Sequence, residues 1–360
     1  MTPMSDNSAS PPGRFSRRTF VQGSGGLGAG LIAATLAGSR IAEAQPAPSA
    51  PPGATSTSTV PSPTAKGAFW PNGARLAVSL SLMFEAGGQP ISGAGGPIGE
   101  PIARGLPDLP TNAFFDYGVT EGIPRLLDLF DRHGVRMSSF MIGQAVDKAP
   151  QLAREIVARG HEAAAHGRTW SNSYALSPAD ERRFIADCVA SIERATGVRP
   201  LGWNAYWMRN TVHTLEILQD LGFLYHIDDP SRDEPFLQTI KGAPFVTVPY
   251  TMHMNDIVSF GFEGFSAAAY EQALRDEFDQ LYDEAASRPR MMVVSLHDRI
   301  SGHANRVRAL DRFLTYARAR DGVWFARKDE IARWTLAHPD LFPAVSRGPA
   351  GISGLPGSAG

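Results

Sequence analysis

The chain has 360 residues, with 34 Lys plus Arg against 36 Asp plus Glu, a formal net charge of −2, and 43% hydrophobic and 19% charged residues. That balance supplies apolar mass for a large core and lacks the basic excess that a nucleic-acid-binding surface needs. The single cysteine, Cys188, excludes an intramolecular disulfide framework and a thiolate zinc cluster.

Residues 1–44 read as an export signal. Ser16-Arg17-Arg18-Thr19-Phe20-Val21 precedes a mildly apolar, glycine-rich stretch, and Ala42-Glu43-Ala44 offers the small residues of a cleavage site. The paired arginines followed by Thr-Phe resemble a twin-arginine signal, and the weak hydrophobicity suits that route. Gly23, Gly25 and Gly26 interrupt the apolar run, leaving it short of the roughly 20 residues that span a bilayer. The expectation is an exported, periplasmic protein with no stable membrane span after cleavage. Residues 45–66 are dominated by Pro, Ala, Ser and Thr and read as a linker, and residues 346–360 as a disordered tail. Residues 67–345 then form one domain.

Within that domain strands and helices alternate. Arg75–Met83 reads as a strand, and Glu121–His133 as a helix with Ile123, Leu126, Leu127 and Phe130 on one face, stopped by Gly134. Val135–Ile142 is a second strand, Gln151–Arg159 a helix, and Glu162–Ala165 a short buried strand. Ser177-Pro178 caps and opens a helix that runs to Gly197 and carries Cys188 on its apolar stripe, as an inert packed thiol. The strands Leu201–Trp203, Leu224–Ile227, Phe245–Val248, Met291–Leu296 and Val323–Phe325 come next. Helices over Thr211–Leu221, Ala267–Ala286, Asn305–Ala317 and Lys328–Leu336 alternate with them. Such β–α alternation implies a parallel sheet covered by helices, and seven or eight units favour an α/β fold of the distorted (β/α) barrel kind.

In such barrels the chemistry sits at the carboxyl ends of the strands. Those ends carry Glu85, His166, Trp203-Asn204-Ala205-Tyr206, Asp228-Asp229, His253 with Asn255 and Asp256, and His297-Asp298. Each alone has a bland reading as a cap or a solvated side chain; together, carboxylates, imidazoles and indoles on one mouth have the composition of an enzyme pocket.

Several segments carry a specific resemblance. Gly160-His161-Glu162-Ala163-Ala164-Ala165-His166-Gly167, Arg199-Pro200-Leu201-Gly202-Trp203 and Ser295-Leu296-His297 resemble motifs of the polysaccharide deacetylase (NodB-like) family. Tyr117-Gly118 with Gly122-Ile123-Pro124-Arg125, and Gly322-Val323-Trp324-Phe325-Ala326, are similar to its allantoinase and cyclic-imide-hydrolase branch. The resemblance implies a NodB-like barrel and hydrolysis of non-peptide carbon–nitrogen bonds. It also implies a departure. Metal-dependent members place two aspartates after the first strand and a His-x-x-x-His pair later, whereas this chain has Glu85-Ala86, and His166 followed by Trp170. Only His166 remains of three ligands, too few for a zinc site, so no metal and no other cofactor are expected; a replacement site from Glu85, His166 and His253 or His297 is the alternative.

Without a Lewis acid, a side chain must activate water and hydrogen-bond donors must hold the oxyanion. Glu85 is the expected base, and His297 or His166 the expected acid. Trp170, Trp203, Asn204, Tyr206, Asp228 and His253 are the expected substrate contacts, with Trp207 assigned to barrel packing. Acid–base catalysis supplies about 10²–10⁴ in rate, which suits an imide or ureide better than an unactivated acetamide. Export points instead to an N-acetylated sugar, and both substrates stay open. A non-catalytic carbohydrate-binding relative is the alternative. The expected partners are the substrate and, from the resembling branch, a second copy of the chain.

Overall fold

The computed structural model describes residues 67–90, 96–98, 100, 102–103 and 105–346. The expected signal, linker and tail beyond Ser346 lie outside them. Among the described residues nine strands form one sheet: β1 (Leu76–Phe84), β2 (Ser138–Met141), β3 (Glu162–Ala165), β4 (Gly202–Trp203), β5 (Tyr225–His226), β6 (Phe236–Ile240), β7 (Ala243–Thr247), β8 (Arg290–His297) and β9 (Val323–Phe325). Their order is β6-β7-β5-β4-β3-β2-β1-β8, with β9 also paired to β1. Every pairing is parallel except the β6–β7 hairpin. The sheet curls without closing, so the expected distorted barrel is an open one; at its ends, β6 bridges to Ala344 and β8 to Asn255.

The helices are α1 (Leu109–Tyr117), α2 (Ile123–His133), α3 (Gly143–Lys148), α4 (Pro150–Ala158), α5 (Pro178–Thr196), α6 (Thr214–Asp220), α7 (Ala267–Glu284), α8 (Asp298–Ser301), α9 (Ala304–Arg318) and α10 (Lys328–Ala337). Among the described residues, none is long and apolar enough to cross a membrane. Local sequence accounts for their ends. Ser177 accepts the Asp180 N–H at the start of α5, and Gly197 ends it in the left-handed region. Cys188 is fully buried on α5, its Sγ 3.5 Å from the Met141 carbonyl, and burial pushes the thiol up to about 12. It is an unreactive core residue.

Alternation along β1 sets the site. Leu76, Val78, Leu80, Leu82 and Phe84 pack outward with the helices, while Ala77 and Met83 join the inner cluster. Period two therefore places Ser79, Ser81 and finally Glu85 on the inner face. Gly202 lies on that face too. A Cβ there would stand 2.2 Å from the Tyr225 ring, so glycine makes room for the tyrosine that crosses the interior to donate 2.8 Å to Glu162 Oε1.

The amino-terminal end of this interior is polar. Lys328, fully buried, reaches Ser79 Oγ at 3.2 Å, and Glu162 accepts from Ser138 Oγ at 2.5 Å and the Asp329 N–H at 3.1 Å. Burial lowers Lys328 to about 7; burial and then Asp329 raise Glu162 to about 7. The unfolded chain keeps the lysine proton up to its ordinary 10.5, so on this account stability rises with pH between about 7 and 10.5. Glu162 has the opposite sign. Its contribution is full below its ordinary 4.5 and fades as pH rises through about 7. Together they set a stability minimum near neutrality. Lys328→Met is expected to remove the alkaline rise, on the order of a few kcal/mol, and to leave the acid-side fall. Thermal unfolding midpoints measured from pH 5 to pH 9.5 check this, and an unaltered alkaline slope in the variant would refute it.

Candidate functional site

The carboxyl ends of β1, β3, β4 and β8 and the segment after β7 surround a cleft lined by Glu85, His166, Trp170, Asn204, Tyr250, Asn255 and His297 with Met83, Trp207, Met208, Met252 and Ile257. Glu85 lies at its base, 2% exposed. Its Oε1 accepts from Trp170 Nε1 at 3.1 Å and lies 3.2 Å from His166 Nε2; its Oε2 accepts from Arg299 at 2.6 Å. Burial by itself would raise this carboxyl. The charge of Arg299, then that of His297, and the hydrogen bond from His166 outweigh it and hold Glu85 well below the usual carboxylate range.

His166 is fixed at both nitrogens. Nδ1 lies 2.9 Å from the Asn204 carbonyl oxygen, which only accepts, so Nδ1 carries a hydrogen. Nε2 then faces Glu85 Oε1 at 3.2 Å and ties the imidazole to the carboxylate. His297 has a different holder. Its Nδ1 is 2.6 Å from Asp256 Oδ1, and its backbone N–H donates 2.7 Å to Asp256 Oδ2, which also accepts from Ser301 Oγ at 2.7 Å. His297 Nε2 is left toward Glu85 Oε1, 3.8 Å away. Burial works against protonation of this imidazole, but Asp256 and then Glu85 overcome it and raise the pKa above the ordinary 6.5.

The turn after β8 anchors the turn after β1. One oxygen of Asp298 accepts the backbone N–H groups of both Glu85 and Ala86 at 3.0 Å, and Arg299 stacks its guanidinium 4.1 Å over Phe115. Small residues let these parts meet. A Cβ on Gly122 would lie 2.0 Å from the Asp298 carbonyl oxygen, and one on Gly302 would lie 2.3 Å from Gly122 Cα. The same joint explains the Tyr117–Arg125 motif, since Arg125 donates to Tyr117 at 2.8 Å and to the Gly302 carbonyl at 2.6 Å, while Tyr117 stacks on His303.

The structure brings Glu85, His166, His297, Trp170 and Asn204 together in one cleft. Asp228 lies behind it, accepting from Asn204 Nδ2 at 2.7 Å and the Ala205 N–H at 3.0 Å. Tyr206 meets Trp170 edge-on at 5.0 Å and stands outside the lining. Three further expectations need correction. Trp203 is 1% exposed, packs on Phe223 and donates to Asn210 at 3.2 Å, because β4 turns its indole into the helix layer. His253 points away from the cleft to Glu277, 2.8 Å from Nε2, with its side chain 59% exposed. Trp207, expected in barrel packing, instead lines the mouth at 40% exposure with a left-handed backbone (φ 51°). Asn255 and Asp256, read from the sequence as strand-end polar residues without a role, join the site, as do Tyr250 and Arg299, which the sequence reading did not name. Arg299 had a signal, two residues beyond His297; Asp256 lies 41 residues from its partner, and no local pattern marks that pairing.

Among the described residues, no three His, Cys, Asp or Glu side chains are disposed to hold a metal ion. Around Glu85, two of the three ligand positions implied by the family resemblance are filled by the Ala86 methyl and the Trp170 indole N–H, and the Arg299 guanidinium lies against the carboxylate as well. Three N–H donors on one carboxylate do not fit a divalent cation.

Comparisons with known proteins agree with this architecture. The profile of the polysaccharide deacetylase family matches residues 111–226. A Schizosaccharomyces pombe protein assigned to the polysaccharide deacetylases is 30% identical over 302 residues, spanning 75% of this chain and 93% of its own length. A Pseudomonas aeruginosa PAO1 structure assigned as a polysaccharide deacetylase superposes with a TM-score of 0.69 at 33% identity, covering 75% of this chain and 94% of that one. The allantoinase PuuE gives 0.69 at 32% identity, covering 75% and 93%. With a relative 30% identical over nearly its whole length and the family profile on residues 111–226, this chain belongs to the polysaccharide deacetylase family.

Proposed function

We propose that the protein hydrolyses an activated, non-peptide carbon–nitrogen bond without a metal ion, and that its substrate is a cyclic imide or ureide. The observation that carries this reading is the opposed ionisation of two groups facing one cleft. Glu85 is held as a carboxylate and His297 as an imidazolium, the pairing that a base and an acid require. Glu85 takes a proton from water as the water oxygen bonds to the carbonyl carbon. His297 Nε2 gives its proton to the nitrogen as the carbon–nitrogen bond breaks, and Asp256 holds the imidazole in place. Asn255 Nδ2, engaged by a long 3.4 Å bond to Tyr250, has a hydrogen to offer the developing oxyanion. A carboxylate so strongly depressed is a weak base, and a good leaving nitrogen compensates for it. The likeness to an allantoinase supports the same substrate class.

The second reading, N-deacetylation of an amino sugar, draws on the relatives' assignment and on the exposed rings of Trp207 and Phe262, 6.4 Å apart beside the mouth. Purified protein assayed against cyclic imides, ureides and N-acetylated oligosaccharides separates the two; no turnover on any of them would favour a non-catalytic binding role. Activity is expected to survive exhaustive chelation. Stoichiometric zinc or nickel by elemental analysis, with activity lost on its removal, would overturn the metal-free mechanism.

A further inference from the structure

Resting on that reading, we infer that Asn204 Oδ1 is the acceptor for the N–H of the scissile nitrogen, so that the site demands a hydrogen on that nitrogen and rejects N-alkylated imides. Asn204 lines the cleft and is 4% exposed. Its two amide atoms are told apart by Asp228, which is fully buried on its side chain and takes Nδ2 at 2.7 Å. The same carboxylate accepts the Ala205 N–H at 3.0 and 3.1 Å. Turning the amide over would set Oδ1 against these carboxylate oxygens with no proton between them. The orientation is therefore locked, and Oδ1, which has no hydrogen-bond partner among the described residues, is the atom left for the cleft.

The rest of the cleft complements an acceptor at this position. Asn255, 7% exposed, has its Oδ1 committed to the Ile257 N–H at 3.0 Å, which leaves its Nδ2 as the donor end. Two asparagines of opposite presentation line one space, one accepting and one donating. An imide or ureide offers the matching pair, a carbonyl oxygen and the adjacent N–H in one plane. Asn204 also adjoins the catalytic groups, since its own carbonyl accepts from His166 Nδ1. An N–H held in the plane of the ring leaves the face of the nitrogen to His297, where the electron pair develops as the tetrahedral adduct collapses.

The test compares succinimide, its C-methyl derivative and its N-methyl derivative, by turnover and by ligand-observed NMR binding to the full chain. The two methylated rings are isomers of equal size, and Asn204→Ala separates loss of the N–H from the change in methyl position. The wild type is expected to favour the C-methyl over the N-methyl compound by about 10- to 100-fold, the range of one unsatisfied buried acceptor. Asn204→Ala is expected to reduce that preference to within about threefold, and Asp228→Asn, which unlocks the amide, to weaken it while the unsubstituted imide still binds. Equal handling of the two methylated rings by the wild type would overturn the inference, as would a preference that persists in Asn204→Ala. Binding with the preference intact but no turnover would uphold the inference and refute the hydrolase reading. Turnover of N-acetylated oligosaccharides with no imide binding would refute the inference together with the imide substrate, and leave only carbon–nitrogen hydrolysis standing.

Discussion

Replacing Glu85 by glutamine is expected to lower hydrolysis by two or more orders of magnitude, the contribution of a positioned base. Glutamine keeps the shape but offers one acceptor oxygen where Glu85 meets the Trp170 and Arg299 donors with two, it cannot take a proton from water, and it leaves the buried Arg299 guanidinium with only Asp298, 3.4 Å away, as counter-charge. The same change therefore costs stability as well. Turnover measured at a temperature well below the variant's unfolding midpoint separates the two effects. Full activity in a folded Glu85→Gln protein would place the base elsewhere.

The second large effect belongs to His297. His297→Ala is expected to reduce turnover by a similar 10²–10⁴, whereas His303→Ala, only six residues further on, should change it by less than about threefold. His303 stacks on Tyr117 and stands at the head of α9, and it does not line the cleft. Asp256→Asn should act on the pH profile. In the wild type the alkaline limb falls above the ordinary imidazole range, because His297 must be protonated and Asp256 and Glu85 raise its pKa. The acid limb, which reports a carboxylate that must stay ionised, lies well below the ordinary carboxylate range. Removing the Asp256 charge should pull the alkaline limb down. The limbs belong to the coupled site and not to single residues, so the direction of movement is the measurement. An unmoved limb in Asp256→Asn would dismiss the pairing, and equal losses from His297→Ala and His303→Ala would dismiss the assignment of the acid.

Much of this site was legible because strand ends are legible. Glu85, His166 and His297 each close an apolar or alternating run, and the fold projects the residue at the end of such a strand into the cleft. Glu162–Ala165 and Val323–Phe325 were readable to the residue. The strand β6 was not, since Phe236–Ile240 has two residues away from the core and shows neither clean alternation nor an unbroken apolar run. Its Lys241-Gly242 turn, left-handed at both positions (φ 47° and 79°), was the available hairpin signal. Trp203 and Trp207 were interchanged for a different reason. Which way an indole turns after a two-residue strand depends on the backbone, and here the left-handed Trp207 and Met208 (φ 51° and 58°) carry the chain outward. The Asp256–His297 and Arg299–Glu85 pairs are tertiary, 41 and 214 residues apart, and periodicity carries no information about them.

The glycine joint between the turn preceding α2 and the turn following β8 bears on how this catalyst tolerates change. Gly122 and Gly302 do not line the cleft, yet they hold Asp298 against the two backbone amides that aim Glu85. A library that varies the cleft lining while freezing these positions explores new substrates on an intact catalytic frame. A library that varies them instead loses activity from a distance, since each added methyl wedges the frame apart without altering any wall of the cleft. Divergence of substrate range should therefore be free at Met252, Ile257 and Trp207 and nearly closed at this buried hinge of backbone on backbone.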